Sequence, residues 1–528
     1  MMLRIIHAIV NEIERAIHRG RNLFSPMIFA AGLSLLALAV LASCAIGPDY
    51  MRPGAAVPVD YKEDKGWKVA QPKDETSRGP WWEVFDDPLL NSLEEQVNVS
   101  NQNIASAEAR FRQAATLVQS ARSNFFPLIT ANPSAVRSLR SSNVTTSGIP
   151  TGTNTVYNAP LTLAPWEIDV WGRIRRLVES NSATAQASAG DLEGVRLSMQ
   201  SSLAQNYYLL RSMDRLKQLL DETIIAYRRS LALTTNQYES GVVSKADVFQ
   251  AETQLKSTIA QAIDVGVQRA QAEHAIALLI GKPASDFSLP VLPLDALPPP
   301  VPRGLPSDLL ERRPDIAAAE RRVAAANAQI GVAKAAYFPT ITLGGSIGYQ
   351  SIDTSNWLTW PSRFWSLGPT VAQTIFDGGA RAALNEQARA AYDQSVADYR
   401  QTVLTAFQQV EDNLATLRIL EEEAAAQGDA VISARKSLEI SLNQYKAGTV
   451  NYLTVAVIQA AVLINERSAL NISSRRMAAC VLLIQALGGG WSASQLPQQG
   501  EILERAKEMK SSVERQALPA NNLTSAGK

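Results

Sequence analysis

The chain is an internal duplication, and this repeat limits its possible folds more than any other feature. The stretch AEARFRQAATLVQSARSNFFPLIT at 107–130 is answered by AERRVAAANAQIGVAKAAYFPTIT at 319–342, about 212 positions later. Further along, NQYESGVV at 236–243 is answered by NQYKAGTV at 443–450, about 207 positions later. A period this long indicates a duplicated domain and not a solenoid of short repeats.

A proline-rich segment separates the two copies. Seven prolines lie between Pro290 and Pro306, and each of them fixes φ and lacks a backbone N–H donor, so neither a helix nor a central strand fits this run. We therefore predict a linker at 289–306. The other predicted boundaries are an extended N-terminal segment at 44–87, a first repeat at 88–288, a second repeat at 307–490 and a polar tail at 491–528.

Composition argues against an enzyme. Of three histidines only His274 lies in the repeats, and a single histidine supports neither a catalytic triad nor a histidine metal site. The stretch LIGKPAS at 279–285 is not a phosphate-binding loop, because the first glycine is missing and proline follows the lysine. We predict no catalytic residue, no metal and no cofactor. The 50 basic and 50 acidic residues balance, so nucleic acid is not an expected partner.

The N-terminus has the pattern of an export signal. An apolar run of about 17 residues at 27–43 follows a basic stretch and ends in LASC at 41–44. This length is marginal for a spanning helix and normal for a signal sequence. LASC resembles a bacterial lipobox, in which cleavage precedes the cysteine and a diacylglyceryl group is attached to its sulfur. We predict a signal peptide at 1–43 and a lipid on Cys44, with an ordinary transmembrane anchor as the alternative.

The other cysteine, Cys480, lies among apolar residues of a helical pattern. With only two cysteines in the chain, a disulfide framework is not the source of its stability. We predict that Cys480 is buried and unreactive.

Each repeat predicts the same order of elements. A short helical pattern stops at an aromatic pair followed by Pro127 or Pro339. A strand hairpin follows, then a helical pattern of about 66 residues, a glycine turn and a return helix of about 37 residues. The two shorter helices of a repeat together match the long one in length, so they can stack end to end along it. The strands have about 10–13 residues, enough to cross a bilayer when tilted; the core of a soluble sandwich is the alternative.

Four strands in one chain cannot close a barrel in a membrane. The smallest transmembrane barrels need about eight strands, and an open sheet edge is not tolerated in lipid. Several chains must therefore pool their strands if the hairpins lie in a membrane. Three chains would supply about twelve strands, with a tube of helices continuous with the barrel, and two chains would supply about eight. The strand count leaves both assemblies open.

Five stretches closely resemble the outer-membrane factors of tripartite efflux systems, the TolC and OprM family, and within it the NodT-like lipoprotein branch. They are CAIGPDYMRP at 44–53, WWEVFDDPLLNSLEEQ at 81–96, LPSDLLERRPDI at 305–316, IFDGG at 375–379 and QALGGGW at 485–491. The resemblance implies a mainly α fold with a membrane β-barrel portion, in a homotrimer. Its twelve-stranded barrel would lie in the outer membrane of a Gram-negative bacterium and continue into a periplasmic helical barrel.

The function implied by this resemblance is the exit duct of a pump for drugs and other small molecules. Its partners would be a periplasmic adaptor and an inner-membrane pump of the RND type. In the family the glycine turns meet the adaptor, and these tips correspond to Gly241, Val242, Gly448 and Thr449. A duct that exports polypeptides and a purely structural coiled-coil lipoprotein are the alternatives. The lipobox favours small-molecule efflux, and a coiled coil alone leaves the two strand pairs unexplained.

The segments just beyond the turns close the pore in this family. Asp247 keeps the family's aspartate of the first repeat, whereas Val457 stands where the second repeat usually has one. Three aspartates in a ring repel each other and bind cations, whereas three valines close a pore by apolar contact and dewetting. We expect closure to rest on Leu453, helped by Val457, with polar contacts near Asp247 and Tyr452. The alternative for Val457 is simple packing against a neighbouring helix.

Overall fold

The structure is a computed structural model of the chain. Two compact units divide it. The sheet unit combines Met1–Tyr50, Val118–Asn181 and Ala325–Tyr392, and the helical unit combines Met51–Leu117, Ser182–Ala324 and Asp393–Lys528. The predicted signal peptide, Cys44, most of the linker and the last residues of the tail lie outside the described residues, which are 45–58, 61–63, 79–139, 141, 143, 153–294, 298–299 and 309–517.

Both repeats fold into the predicted order of elements. The first repeat contains α1 Pro88–Ser100, α2 Gln102–Ser123, β1 Ile129–Ala131, β2 Ser134–Leu139, β3 Thr153–Glu167, α3 Arg173–Glu239 and α4 Lys245–Leu279. The second contains α5 Leu309–Arg312, α6 Pro314–Ala335, β4 Thr340–Ser351, β5 Arg363–Ala372, α7 Ala380–Lys446 and α8 Tyr452–Ala486. A further helix, α9 Ile502–Ala517, follows the repeats.

One helix and one strand of the first repeat are each divided in two, although the sequence pattern indicates continuous elements. The short helical pattern that precedes the first hairpin forms two helices. They are separate because Asn101 has an extended backbone and its side chain accepts the N–H groups of Asn103 and Ile104 as the cap of α2. The first strand is also divided, into β1 and β2, which both pair antiparallel with β3. Pro133 lies between them and cannot donate to a strand ladder, which accounts for the break.

The helical unit contains two matched helix junctions. At the first, the Asn101 side-chain amide donates to the carbonyl oxygen of Leu279, at the end of α4, at 2.8 Å. At the second, the Arg313 guanidinium donates to the carbonyl oxygen of Ala486, at the end of α8, at 3.0 Å. Asn101 and Arg313 are 212 positions apart, and Leu279 and Ala486 are 207 positions apart, which are the offsets between the two repeats. Each junction places a return helix end to end with the helix that precedes the hairpin, as the helix lengths predicted.

A glycine makes each junction possible. Gly281 and Gly488 both have left-handed backbones, with φ of 69° and 97°. A Cβ atom on Gly281 would run into the carbonyl oxygen of Ser100, and one on Gly488 would run into that of Arg312. Both constraints, positive φ and a neighbouring backbone atom, exclude a larger residue.

We expect Gly488→Ala to destabilise the helical unit by about 3 kcal/mol or more, because the strained backbone and the clash with a backbone oxygen add up. Thermal unfolding followed by the helical circular dichroism signal would measure this. Gly428→Ala is the matched control, since Gly428 lies inside α7 with open space around it, and it should stabilise by about 0.5–1 kcal/mol. Equal melting temperatures for the two variants would contradict the assignment.

Glu94 is an unusual buried acid in α1. Its side chain is 0% exposed, and neither carboxylate oxygen has a hydrogen-bond partner among the described residues. Removal from water disfavours the charged form, so burial raises the pKa of Glu94 to about 9. The carboxyl group is therefore protonated at neutral pH in the folded protein.

This buried acid predicts a pH dependence of stability. The folded-state pKa of Glu94 is higher than that of the unfolded chain, so its contribution is most favourable below about pH 4.5 and is lost as pH rises toward about 9. The expected slope is at most about 1.4 kcal/mol per pH unit. Glu94→Leu should therefore raise the melting temperature more at pH 8 than at pH 5. An identical gain at both pH values would show that Glu94 is not the cause.

One helix among the described residues, Tyr452–Ala486, is long and apolar enough to cross a membrane by length and composition. It packs instead against α4 in the helical unit: Arg467 donates to Gln261 at 3.0 Å, and Gln254 donates to the carbonyl oxygen of Ala456 at 3.3 Å. The same helix carries Cys480, which is buried as predicted.

Candidate functional site

One face of the sheet is apolar. The register places Ile347 opposite Trp365 on one side and opposite Leu161 on the other, so the three side chains share a face. Side chains alternate along each strand, and the rest of this face follows from the pairing. Its apolar members are Ile129, Leu161, Leu163, Ile341, Leu343, Ile347, Trp365, Leu367 and Val371.

The opposite face of the sheet is small and polar. Thr162, Ser346 and Ser366 follow each other across three strands, and the hydroxyl groups of Ser346 and Ser366 are 2.9 Å apart. Thr342 lies opposite Thr370. The second hairpin expected from the sequence is thus present, and its side chains alternate between an apolar and a polar face. One apolar and one polar face are what a barrel with lipid outside and water inside requires.

Both edges of the sheet are open. The strand order places β1 and β2 at one edge and β5 at the other, with β3 and β4 between them. Each edge strand pairs on one side only within the described chain, so its outer N–H and C=O groups have no strand partner there. Unpaired backbone groups are costly in lipid, so further strands must be added to this sheet in a membrane.

The predicted tips are matched turns in the helical unit. Gly241 and Gly448 have φ of 76° and 74°, the left-handed conformation that ends many helices. Two hydrogen bonds close the first turn, from the N–H of Gly241 to Tyr238 and from the N–H of Val242 to Gln237. The second turn, Tyr445–Thr449, has the same pattern. The glycine signal in the sequence was therefore sufficient to locate both turns.

Asp247 caps a helix at the first tip. Its carboxylate accepts the backbone N–H of Ser244 at 3.0 Å and the Ser244 hydroxyl at 2.8 Å, while its own N–H points back at that hydroxyl. This reciprocal capping box starts α4. At the second tip Asn451 caps α8 by accepting the N–H of Thr454. The position of Asp247 thus has a structural reason besides any role in the pore.

Tyrosines form the core behind the second tip. Tyr452 is buried, and its ring contacts that of Tyr445 edge to face, with 5.6 Å between centroids. The Tyr445 hydroxyl and Thr234 are hydrogen-bonded at 3.0 Å. Gln459 donates to Ser230 at 2.9 Å. The second pair of long and return helices is thereby tied to the first, and Tyr452 belongs to this core.

Leu453 and Val457 lie on the surface of the helical unit. They are one helical turn apart on α8 and are 55% and 61% exposed. The structure brings them together but does not bring Asp247 or Tyr452 into the same exposed stripe. Val242 and Phe249 are also exposed at the first tip, and Phe249 is absent from the set predicted from the sequence. The available signal was an aromatic residue five positions after the helix cap Ser244.

A buried charge cluster holds the start of the linker in the helical unit. Asp214 on α3 is 2% exposed and accepts Arg269 of α4 at 2.7 Å and the backbone N–H of Leu292 at 3.0 Å. Arg211 lies 3.4 Å from the same carboxylate and donates to the carbonyl oxygen of Pro290 at 2.7 Å. We call Arg211, Asp214, Arg269 and Glu273 the linker clamp.

Further backbone groups of the linker bind the clamp and α3. Arg269 donates to the carbonyl oxygen of Leu289 at 2.8 Å, and Glu273 accepts the Leu289 N–H at 2.6 Å. The N–H of Leu294 donates to the carbonyl oxygen of Arg211 at 3.1 Å. Buried charges are stable when paired and hydrogen-bonded in this way. This cluster was not predicted from the sequence, although Arg211/Asp214 and Arg269/Glu273 have the spacings of helix ion pairs.

Comparison with known proteins assigns the chain to a family. The family model "Outer membrane efflux protein" matches residues 93–282 and 305–489. The toluene efflux pump outer membrane protein TtgC of Pseudomonas putida is 31% identical over 479 residues, which cover 89% of this chain and 98% of TtgC. The cation efflux system protein CusC of Escherichia coli O6:H1 is 28% identical over 454 residues, 85% of this chain and 96% of CusC.

The fold agrees with solved structures of such channels. The outer-membrane channel OprN superposes with a TM-score of 0.79 at 30% identity, over 85% of this chain and 100% of OprN. The chain belongs to the outer membrane efflux protein family. It is an outer-membrane channel of a tripartite efflux pump, a component that spans the outer membrane and extends into the periplasm.

Proposed function

We propose that three copies of this chain form one closed duct through the outer membrane. The observation that carries the proposal is the open sheet with one apolar face, one polar face and two unpaired edges. Three such sheets, each four strands wide, would close a barrel of about twelve strands and leave no edge in lipid. The polar face would line the lumen. The duct would conduct its cargo without transforming it and would need no metal or cofactor.

We further propose that the duct serves an inner-membrane pump of the RND type through a periplasmic adaptor docked at the two glycine turns. The cargo is small molecules and is selected by the pump. The relatives' names support this division of labour, because TtgC belongs to a toluene pump and CusC to a cation system. Toluene and a cation differ so much in polarity that related ducts cannot recognise both by the same contacts. Polypeptide export has no support from these names.

Purification from crosslinked cells tests both proposals. The tagged chain, solubilised in mild detergent, should have the mass of three copies by native mass spectrometry. Mass spectrometry of crosslinked partners should identify one adaptor and one pump of the RND type. A two-copy mass would overturn the trimer, and a polypeptide-secretion ATPase among the partners would overturn small-molecule efflux.

We also propose that Cys44 carries the lipid anchor. The residues directly after it lie against the strand–helix junction of the sheet unit. The Ile46 N–H donates to the carbonyl oxygen of Trp171 at 3.0 Å, and Arg176 pairs with Asp49 at 3.0 Å. The helical end of the sheet faces the periplasm in this family, so a lipid on the residue before Ala45 would reach the inner leaflet of the outer membrane.

With the signal kept, Cys44→Ala should abolish incorporation of radiolabelled fatty acid. Cys480→Ala is the matched control and should leave labelling unchanged, because Cys480 is buried in a helix. The sheet itself anchors the protein, so the Cys44 variant should still fractionate with the outer membrane. Continued labelling of the Cys44→Ala protein would exclude the lipid assignment.

A further inference from the structure

The loop between β4 and β5 presents an exposed aromatic and cationic cluster. The guanidinium carbon of Arg363 lies 3.6 Å from the centroid of the Trp360 ring, close enough for a cation–π contact. Trp360 is 68% exposed, and Leu358 and Ile352 of the same loop are similarly open to solvent. No carboxylate pairs with Arg363 among the described residues.

The cluster is held in place by its own loop. The hydroxyl groups of Thr359 and Ser362 both donate to the carbonyl oxygen of Asn356 at 2.7 Å. Trp357 donates its ring N–H to the carbonyl oxygen of Tyr349 at 3.3 Å. The one acidic residue of the loop, Asp353, accepts the N–H of Ser355. Exposed apolar side chains on a loop that is held by its own hydrogen bonds are typical of a binding surface.

The register places Arg363 on the apolar face of the sheet. Arg363 lies opposite Tyr349, two residues beyond the pair Ile347 and Trp365, so both belong to the apolar face. Within the described residues, the strands join α-helices only at their other end, and the helices of this family lie in the periplasm. The loop is therefore at the outer surface, where the apolar face leaves the bilayer.

We propose that this cluster binds the phosphorylated glycolipid of the outer leaflet, lipid A. Its phosphate would accept hydrogen bonds from Arg363, whose planar donors match phosphate geometry. Its acyl chains and sugar would cover Trp360, Leu358 and Ile352. Aromatic residues prefer this interfacial depth, and a cation beside them favours an anionic headgroup over a neutral one. The charge and the apolar surface point to the same ligand.

The test uses the full-length protein, purified and stripped of lipid in detergent, with lipid A, fully dephosphorylated lipid A and phosphatidylglycerol as probes in native mass spectrometry. Wild type should bind lipid A about tenfold more tightly than the dephosphorylated probe, as expected for one charge-assisted contact. Arg363→Gln should remove that preference, and Trp360→Ala should weaken both lipid A probes. Arg229→Gln, which removes an exposed arginine from α3, should bind like wild type.

Each contrary outcome is decisive, provided that size-exclusion profiles and helical content match wild type. Equal binding of lipid A by Arg363→Gln and wild type would overturn the role of the arginine. Equal binding of phosphatidylglycerol and lipid A would show that any anionic lipid suffices. Loss of binding in Arg229→Gln would mean that total charge, and not this cluster, attracts the lipid.

Discussion

Asp214→Ala should lower the free energy of unfolding of the helical unit by about 3–5 kcal/mol, the usual effect of removing one partner from a buried charge cluster. The substitution leaves Arg211 without its carboxylate partner in the protein interior and deprives Arg269 of its 2.7 Å contact. It also removes the acceptor of the Leu292 N–H. Water cannot easily replace these bonds, because Asp214 is almost completely buried.

The same helix supplies a matched control. Asp221 pairs with Lys217 at 2.6 Å one turn away, but both side chains are about half exposed, and such pairs contribute about 0.3–0.5 kcal/mol. Asp221→Ala should therefore melt close to wild type. Limited proteolysis gives a second readout: Asp214→Ala should be cut near residues 289–294 where wild type resists. Equal stability and equal protection of the two variants would show that the clamp does not hold the linker.

The duplication explains why so much of the fold could be predicted. Prolines and glycines end helices and strands at matched positions in the two repeats. A boundary predicted in one repeat could therefore be compared with the same boundary in the other. Gly241 and Gly448, for example, are recognisable from their turns alone, and their helices end there as expected. The trimeric assembly and the outer-membrane location were expected from the family resemblance, because no single pattern in the chain specifies them.

The parts that sequence reasoning missed depend on contacts between distant segments. Pro133 shows that one proline can divide a strand without changing its place in the sheet. The clamp required knowledge that the linker folds back over α3 and α4, and no local pattern encodes that path. Tyr452 resembles a polar residue available to a pore, yet packing against Tyr445 buries it. Burial is decided by neighbours, which periodicity within one helix does not identify.

Three of the four clamp positions keep their charge in the second repeat, where Glu421 corresponds to Asp214 and Arg476 to Arg269. An offset of about 207 carries Arg211 to Arg418 and Glu273 to Cys480. Arg418 pairs with Glu63 of the N-terminal segment at 2.8 Å, and Cys480 lies 3.7 Å from the carbonyl oxygen of Pro299. Arg211 and Arg418 thus bind different extended segments, the linker and the N-terminal segment, whereas Glu273 and Cys480 both contact the linker. The duplication preserved the helices and most of these charges, and only the position of Glu273 lost its charge.

Replacing Leu453 and Val457 together by serine should raise single-channel conductance in planar bilayers several-fold and make cells leaky to large antibiotics. Both side chains are exposed on one stripe of α8, one turn apart and next to the second glycine turn. In three copies around an axis, such a stripe would close a pore by apolar contact and dewetting. Serine is small and polar, so it both widens the constriction and admits water.

Ile464→Ser provides the control for this gate prediction, because Ile464 is equally exposed on the same helix but lies three turns away from the tip. Its conductance should remain at the closed level of wild type. If the double variant also stays at that level, the constriction lies elsewhere and the stripe packs against a neighbouring helix. If Ile464→Ser opens the channel as well, the whole stripe stabilises the closed assembly, and closure is not confined to the residues beside the turn.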